Sequence, residues 1–144
     1  MAKIEQQYWD NIYSSKAEGE VSWFQPYPKT SMEFVQLFEL PFSANIIDIG
    51  GGDSHFIDAL LDKGYQNIWV LDISANAIER AKKRLGSKAT IVHWIVTDVT
   101  EFEPPVQFDF WHDRAAFHFL TTEDKIYKYV SIAQCRTCYY TATR

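Results

Sequence analysis

Fourteen basic and nineteen acidic side chains in 144 residues give a formal net charge of −5, which argues against a nucleic-acid-binding surface. A chain 47% hydrophobic and 23% charged is that of one globular domain, and no apolar run approaches the roughly 20 residues of a membrane span. The N-terminus MAKIEQQYWD has no signal-peptide pattern, and the two cysteines, Cys135 and Cys138, form a lone C-x-x-C with no second ligand pair. A cytoplasmic protein without a metal site is therefore expected.

Residues 3–13 read as a short helix carrying Tyr8, Trp9, Ile12 and Tyr13. A polar loop over Ser14–Gly19 leads to an apolar patch, Val21–Phe24, which Pro26 and Pro28 stop. Thr30 and Glu33 form a capping box for a helix with Phe34, Leu37 and Phe38 on one face, ended by Pro41. Then comes the stretch NIIDIGGGDS, Asn45–Ser54. Its β-branched run reads as a buried strand, and its three glycines let the backbone turn sharply and come close to a ligand. Ser54 caps a helix with Ile57, Leu60 and Leu61 inward, and Gly64 stops it.

A second strand over Asn67–Leu71 ends in Asp72, about 20 residues after the glycines, where nucleotide-type α/β folds place an acid for ribose hydroxyls. Ser74 caps the next helix, with Ile78, Ala81 and Leu85 inward and Gly86 as its stop. Ala89–Val96 is a third strand leading to Thr97-Asp98-Val99, and Glu101–Gln107 is a loop. Phe108–Trp111 is a fourth strand that empties into His112-Asp113-Arg114. Thr121 caps a last helix bearing Ile126, Tyr129, Val130 and Ala133. Strands alternating with helices imply a mainly parallel sheet.

Which ligand the glycines hold is narrowed by their neighbours. In a dinucleotide G-x-G-x-x-G beginning at Gly50, His55 would occupy the third glycine's place, and its bulk disfavours a nicotinamide oxidoreductase. The run also lacks the lysine and hydroxyl of a P-loop. What fits is D-x-G-x-G over Asp48–Gly52, with Asp72 and Asp98 at the next two strand ends. Three acids along one sheet edge suit a cationic, donor-rich ligand.

This pattern resembles the class I S-adenosylmethionine-dependent methyltransferases over nearly the whole chain. The resemblance implies a three-layer Rossmann-like α/β fold with strand order 3-2-1-4-5 and S-adenosylmethionine as cofactor. Gly50 and Gly52 would pass beneath its methionine part, and Asp72 would hold both ribose hydroxyls. Ile73 would pack on the adenine, Asp98 would accept from its amino group, and the Val99 backbone would lie beside it. Tyr8-Trp9-Asp10-x-x-Tyr13, Ser22-Trp23-Phe24 and the Gly-x-Asp-Ser at 51–54 are similar to the elongation-factor lysine methyltransferase branch. That branch closes its N-terminal segment over the cofactor. Trp9, Tyr13 and Trp23 would then lie against the sulfonium, which ring faces attract; alternatively the rings fasten the N-terminal helix to the sheet. Tyr8 is assigned to the core.

Trp111-His112-Asp113-Arg114-Ala115 is similar to the W-D-R-G/A stretch of thiopurine methyltransferases, with His112 as a departure. No catalytic residue is fixed; the candidates are Asp113 and His112, with His118 one turn further. Asp113 would hold a donor on the cofactor's methionyl group or orient an amine. Arg114 would pair with Asp113 or meet an acidic substrate. His118 reads as a core histidine between Phe117 and Phe119, and His93 as structural.

Within this scheme the chain is one domain: N-terminal lid helices over 1–40, a cofactor-binding core over 45–133, and an atypical tail over 134–144. Relatives add a fifth strand and a hairpin where this tail is short and weakly apolar, so the fold reads as C-terminally truncated. Methyl transfer to a small-molecule or protein acceptor is the expected function, and a non-catalytic S-adenosylmethionine-binding protein is the alternative. The exposed edge of a fifth strand is expected to recruit a second copy as a homodimer, or else the tail beyond about Ala133 is disordered.

Overall fold

A computed structural model describes residues 2–16, 26–114, 116–135 and 137–142. The Val21–Phe24 patch with Trp23, and Ala115, lie outside them. Its centre is a parallel sheet in the order β3-β2-β1-β4-β5, as the resemblance implies. The strands are β1 (Asn45–Ile49), β2 (Asn67–Asp72), β3 (Val92–Val96), β4 (Phe108–Asp113) and β5 (Thr137–Ala142). The helices are α1 (Ala2–Ser15), α2 (Lys29–Leu37), α3 (Phe56–Lys63), α4 (Ala75–Leu85) and α5 (Glu123–Cys135). None of the described helices is long and apolar enough to cross a membrane.

Alternation along the strands feeds two apolar layers. Ile46, Ile68, Val70 and Phe110 pack with Met32 and Val35 of α2, Phe56 and Leu60 of α3, and Ile78 of α4. Ile47, Ile49, Leu71 and Trp111 pack on the other side with Tyr129 and Ala133 of α5. Each fully buried aliphatic side chain contributes roughly 1.5–3 kcal/mol, so these layers dominate the stability of the sheet. Helix α1 belongs to neither layer; it crosses the sheet's C-terminal edge.

Several boundaries shift for local reasons. Helix α2 starts at Lys29 behind Pro28, without a side-chain cap, so Thr30 and Glu33 form no capping box. Its buried residues are Ser31, Met32 and Val35, and Phe34 and Phe38 pack partly buried on the same cluster as expected, while Leu37 is 71% exposed, which corrects that one residue of the face. Helix α3 begins at Phe56, with His55 rather than Ser54 at its N-cap position, although the Ser54 Oγ still accepts from the Phe56 N–H at 3.1 Å. Gly64 ends α3 in the left-handed region, φ +105°, and Ser74 caps α4 by accepting from the Ala77 N–H at 3.2 Å, both as read from the sequence. The cap before α5 is Thr122, not Thr121: its Oγ1 accepts from the Lys125 N–H at 3.3 Å.

Strand β3 begins at Val92 because Gly86–Ile91 closes into a 3₁₀ turn. There Thr90 Oγ1 donates to the Ser87 carbonyl and Trp94 Nε1 to the Ala89 carbonyl. Local bonds of this kind compete with strand pairing. Strand β4 runs two residues further than expected, since Asp48 pairs with His112 and Ile49 with Asp113. The polar pair looked like a loop but lies buried in the sheet. The backbone of 137–142 pairs in parallel with β4, so the expectation of a disordered tail does not hold for those six residues.

Candidate active site

At the end of β1 the chain folds back under β2. The Gly50 N–H donates to the Leu71 carbonyl at 2.7 Å with φ at +67°, a conformation in which side chains are strained. A Cβ there would also lie 2.8 Å from the Ala116 Cβ. At Gly52 a Cβ would stand 2.7 Å from the Ala77 Cβ and 3.0 Å from Asp72 Oδ2. The close approach has a purpose: the Gly52 N–H donates to Asp72 Oδ2 at 3.0 Å, while the Ser74 N–H donates to Oδ1 at 2.8 Å. Asp72 thereby fixes the glycine turn and the start of α4 together.

Above this turn lies a cavity of about 270 Å³, floored by strand ends and roofed by α1. Of the residues singled out from sequence, Trp9, Tyr13, Gly50, Asp72, Ile73, Asp98 and Val99 line it. Glu5, Tyr8, Thr97, Phe119 and Leu120 also line it and were missed. Glu5 lies one helical turn before both Tyr8 and Trp9, a spacing that could have revealed it. Tyr8 is 59% exposed at the cavity's edge, so it is not core. His118 is likewise exposed on the 3₁₀ turn Ala116–Phe119, not a core histidine. His93 stacks on Trp69 at 4.3 Å, consistent with a structural part.

A second cavity of about 30 Å³ shares Tyr13, Ile49 and Gly50 with the first and extends to Asp48, Asp53, His112 and Arg114. Gly52 lines neither cavity, and nor does Asp113. Asp113 is buried on the α5 side, where Oδ2 accepts from the Tyr129 hydroxyl at 2.6 Å and the Phe117 N–H at 3.0 Å. Trp23 lies outside the described residues.

Burial governs the charges here. Loss of hydration pushes the Asp72 carboxyl up to about 6 against the pull of the Ser74 and Gly52 amides, with Asp48 and Asp53 adding repulsion. Burial likewise raises Asp113 to about 6, opposed by the Tyr129 hydroxyl. Asp48 Oδ2 is buried with no hydrogen-bond partner among the described residues. Asp98 Oδ1 accepts from both the N–H and the hydroxyl of Thr100, at 2.9 and 2.7 Å. A site with this many carboxylates can take a ligand carrying a positive charge and several donors.

Polar groups tie the roof down. Asp10 of α1 accepts from the Ser74 hydroxyl at 2.6 Å and the Asn76 N–H at 3.3 Å, placing a carboxylate at the start of α4. In return Arg80 of α4 donates to the Tyr13 and Lys16 carbonyls at 3.0 and 2.9 Å, placing a cation at the end of α1. Each contact complements the helix dipole it meets. Arg80 also approaches Asp53 at 3.5 Å and covers the Tyr13 ring at 5.6 Å. Glu5 pairs with Lys125 of α5, and Trp9 meets Phe119 edge-on at 4.8 Å.

A sequence profile described as a methyltransferase domain matches residues 46–134. The chain is 26% identical over 119 residues to the eEF1A lysine and N-terminal methyltransferase of Mus musculus, covering 82% of this chain and 17% of that protein. It is 30% identical over 87 residues to malonyl-[acyl-carrier protein] O-methyltransferase 2 of Ilyobacter polytropus, covering 60% and 33%. The chain thus spans a third or less of these two relatives. In structure it is similar to an S-adenosylmethionine-dependent methyltransferase from Clostridium acetobutylicum, with TM-score 0.68, 17% identity, and 91% and 52% of the two chains covered. It is equally similar to the N-methyltransferase NodS of Bradyrhizobium japonicum in complex with S-adenosyl-L-homocysteine, with TM-score 0.68, 18% identity and coverage of 92% and 67%.

Proposed function

Because this chain belongs to the methyltransferase-domain family, as a class I S-adenosylmethionine-dependent methyltransferase, we propose that its roofed cavity binds S-adenosylmethionine and serves methyl transfer to a protein or small-molecule acceptor. The observation that carries this reading is the convergence of Asp72, Ile73, Asp98, Val99, Trp9 and Tyr13 on one cavity. The residues fit the group. Asp72 would take the ribose hydroxyls, Ile73 and Val99 would hold the adenine, and Asp98 would meet its amino group. The partnerless Asp48 Oδ2 beside the small inner cavity suits a methionyl ammonium. Trp9 and Tyr13 offer ring faces on the roof side.

The cofactor supplies a methyl group activated on a sulfonium. The chain's own part is to orient it, exclude water beneath α1, and leave an opening through which an acceptor can come into line. Asp113 and His112 are both buried and hydrogen-bonded, so neither reaches an acceptor as the chain stands. Catalysis on this reading rests on positioning.

The names of the relatives support protein-bound acceptors, an amine on one and a carrier-bound malonyl group on the other. We read the chain as one domain, 1–144, working in the cytoplasm on such substrates, with no nucleic acid as partner. Calorimetric titration with S-adenosylhomocysteine beside NAD tests the assignment: binding of the first and not the second is expected, and the reverse overturns it.

A further inference from the structure

In the apolar layer between the sheet and α2 three polar side chains form an unbroken chain. The register of β1 and β4 sets Asp48 directly beside His112. Asp48 Oδ1 lies 2.7 Å from His112 Nδ1, and the Ser31 Oγ of α2 lies 2.7 Å from His112 Nε2. All three are buried, at 2%, 4% and 6% exposure for Asp48, His112 and Ser31. The imidazole stacks on Phe56 at 4.0 Å and lies roughly parallel to the Phe110 ring at 6.4 Å. With Nδ1 donating to the carboxylate, a neutral imidazole accepts from the Ser31 hydroxyl at Nε2.

Such a trio is not needed for packing. Met32, Val35, Ile46 and Phe110 belong to the same apolar layer, and an apolar set of similar volume in place of buried polar or charged partners is often neutral or stabilising. What the trio does accomplish is directional. It commits one Asp48 oxygen away from the glycine turn and leaves the other, Oδ2, without a hydrogen-bond partner beside the small cavity. A Cβ on Gly51 would fall 2.3 Å from that Oδ2, so the carboxylate lies under the turn in space that only a glycine leaves open.

We propose that His112 and Ser31 are positioning residues through which α2 orients the Asp48 carboxylate toward the bound cofactor. The proposal rests on the cofactor reading given above. Ser31 lines neither cavity, so its influence on binding has to pass through His112.

The test is titration of S-adenosylhomocysteine into the full chain and into Ser31→Ala, Ser31→Thr and His112→Phe, beside thermal melts of each. Loss of one hydrogen bond from the relay predicts that Ser31→Ala binds about threefold to tenfold more weakly, and that Ser31→Thr recovers most of this. His112→Phe, which keeps the ring stack and removes both bonds, is expected to lose more. The His112 ring nitrogen signals should shift when S-adenosylhomocysteine is added, a response a purely structural histidine would not give. If His112→Phe fails to fold, the two Ser31 variants and the ring signals decide. Wild-type affinity in Ser31→Ala, or ring signals indifferent to the ligand, overturns the relay alone. A wild-type chain that takes up no S-adenosylhomocysteine overturns the cofactor reading and the relay with it.

Discussion

Asp72 holds two backbone amides with two oxygens while facing the cavity, so a ligand must share a carboxylate already in use. Asp72→Ala should lower S-adenosylhomocysteine affinity at least about tenfold, since each charge-assisted bond to a ribose hydroxyl contributes roughly 1.5–3 kcal/mol; calorimetry checks this. The raised carboxyl adds a pH dependence whose sign can be worked out. Hydroxyls donate to the ionised form, so affinity should fall as pH drops through about 6, and Asp72→Asn should flatten that profile. Stability runs the other way. Between the ordinary carboxyl value near 4 and about 6, the folded chain keeps protons on Asp72 and Asp113 that the unfolded chain has released. These two groups therefore stabilise the fold in acid and lose that contribution as pH rises through about 6. Melts of an Asp72→Asn, Asp113→Asn double variant should show a weaker dependence in that window. Asp72 and the glycines were legible in sequence because strand, turn and acid recur at fixed spacing. His112 and Asp113 were harder to place because two polar residues after an apolar strand look solvated. Their partners Ser31 and Tyr129 are distant in sequence, and only the folded register brings them close.

At the scale of elements, α1 differs from the rest in how it is attached. Helices α2 to α5 are held by buried aliphatic and aromatic surface, whereas α1 has, among its described residues, only Tyr13 in the core and otherwise rests on polar ties and the Trp9–Phe119 ring contact. The Glu5–Lys125 pair is partly exposed, and such pairs contribute about 0–1 kcal/mol each, far less than the core residues. Lys125→Met should therefore leave the melting temperature of the free chain nearly unchanged while weakening S-adenosylhomocysteine binding several-fold. A sharp fall in melting temperature with unchanged affinity would reverse that account. Ser74→Ala should do both, because it removes the α4 cap, worth about 1 kcal/mol, and the partner of Asp10. Helix and strand order was legible from periodicity, Gly64 and Ser74. The shift at Thr121 arises because its neighbour Thr122 offers an equivalent cap, whereas before α3 His55 makes no side-chain cap and Ser54 still serves the Phe56 N–H. The late start of β3 arises from side-chain bonds that only the folded turn makes.

For the whole molecule, the sheet carries β3 at one side and β5 at the other, and the outer side of β5 has no pairing strand among the described residues. An edge of that kind offers free N–H and C=O groups to another chain. Light scattering over a concentration series should show the mass rising toward that of a pair, and a constant monomer mass would count against pairing at this edge. The cavity roof has a kinetic consequence. The groups proposed to grip the adenosine, Asp72, Asp98 and the flanking Ile73 and Val99, keep their contacts whether or not the sulfur still carries its methyl group. The sulfonium charge is felt by the ring faces of Trp9 and Tyr13 and by the carboxylates lining the cavity. The spent carrier should therefore linger after each transfer, and its departure should wait for α1 to lift. Added salt weakens the Glu5–Lys125 pair that holds α1 down. In stopped-flow displacement, salt should then shorten the time for which the exhausted molecule stays bound.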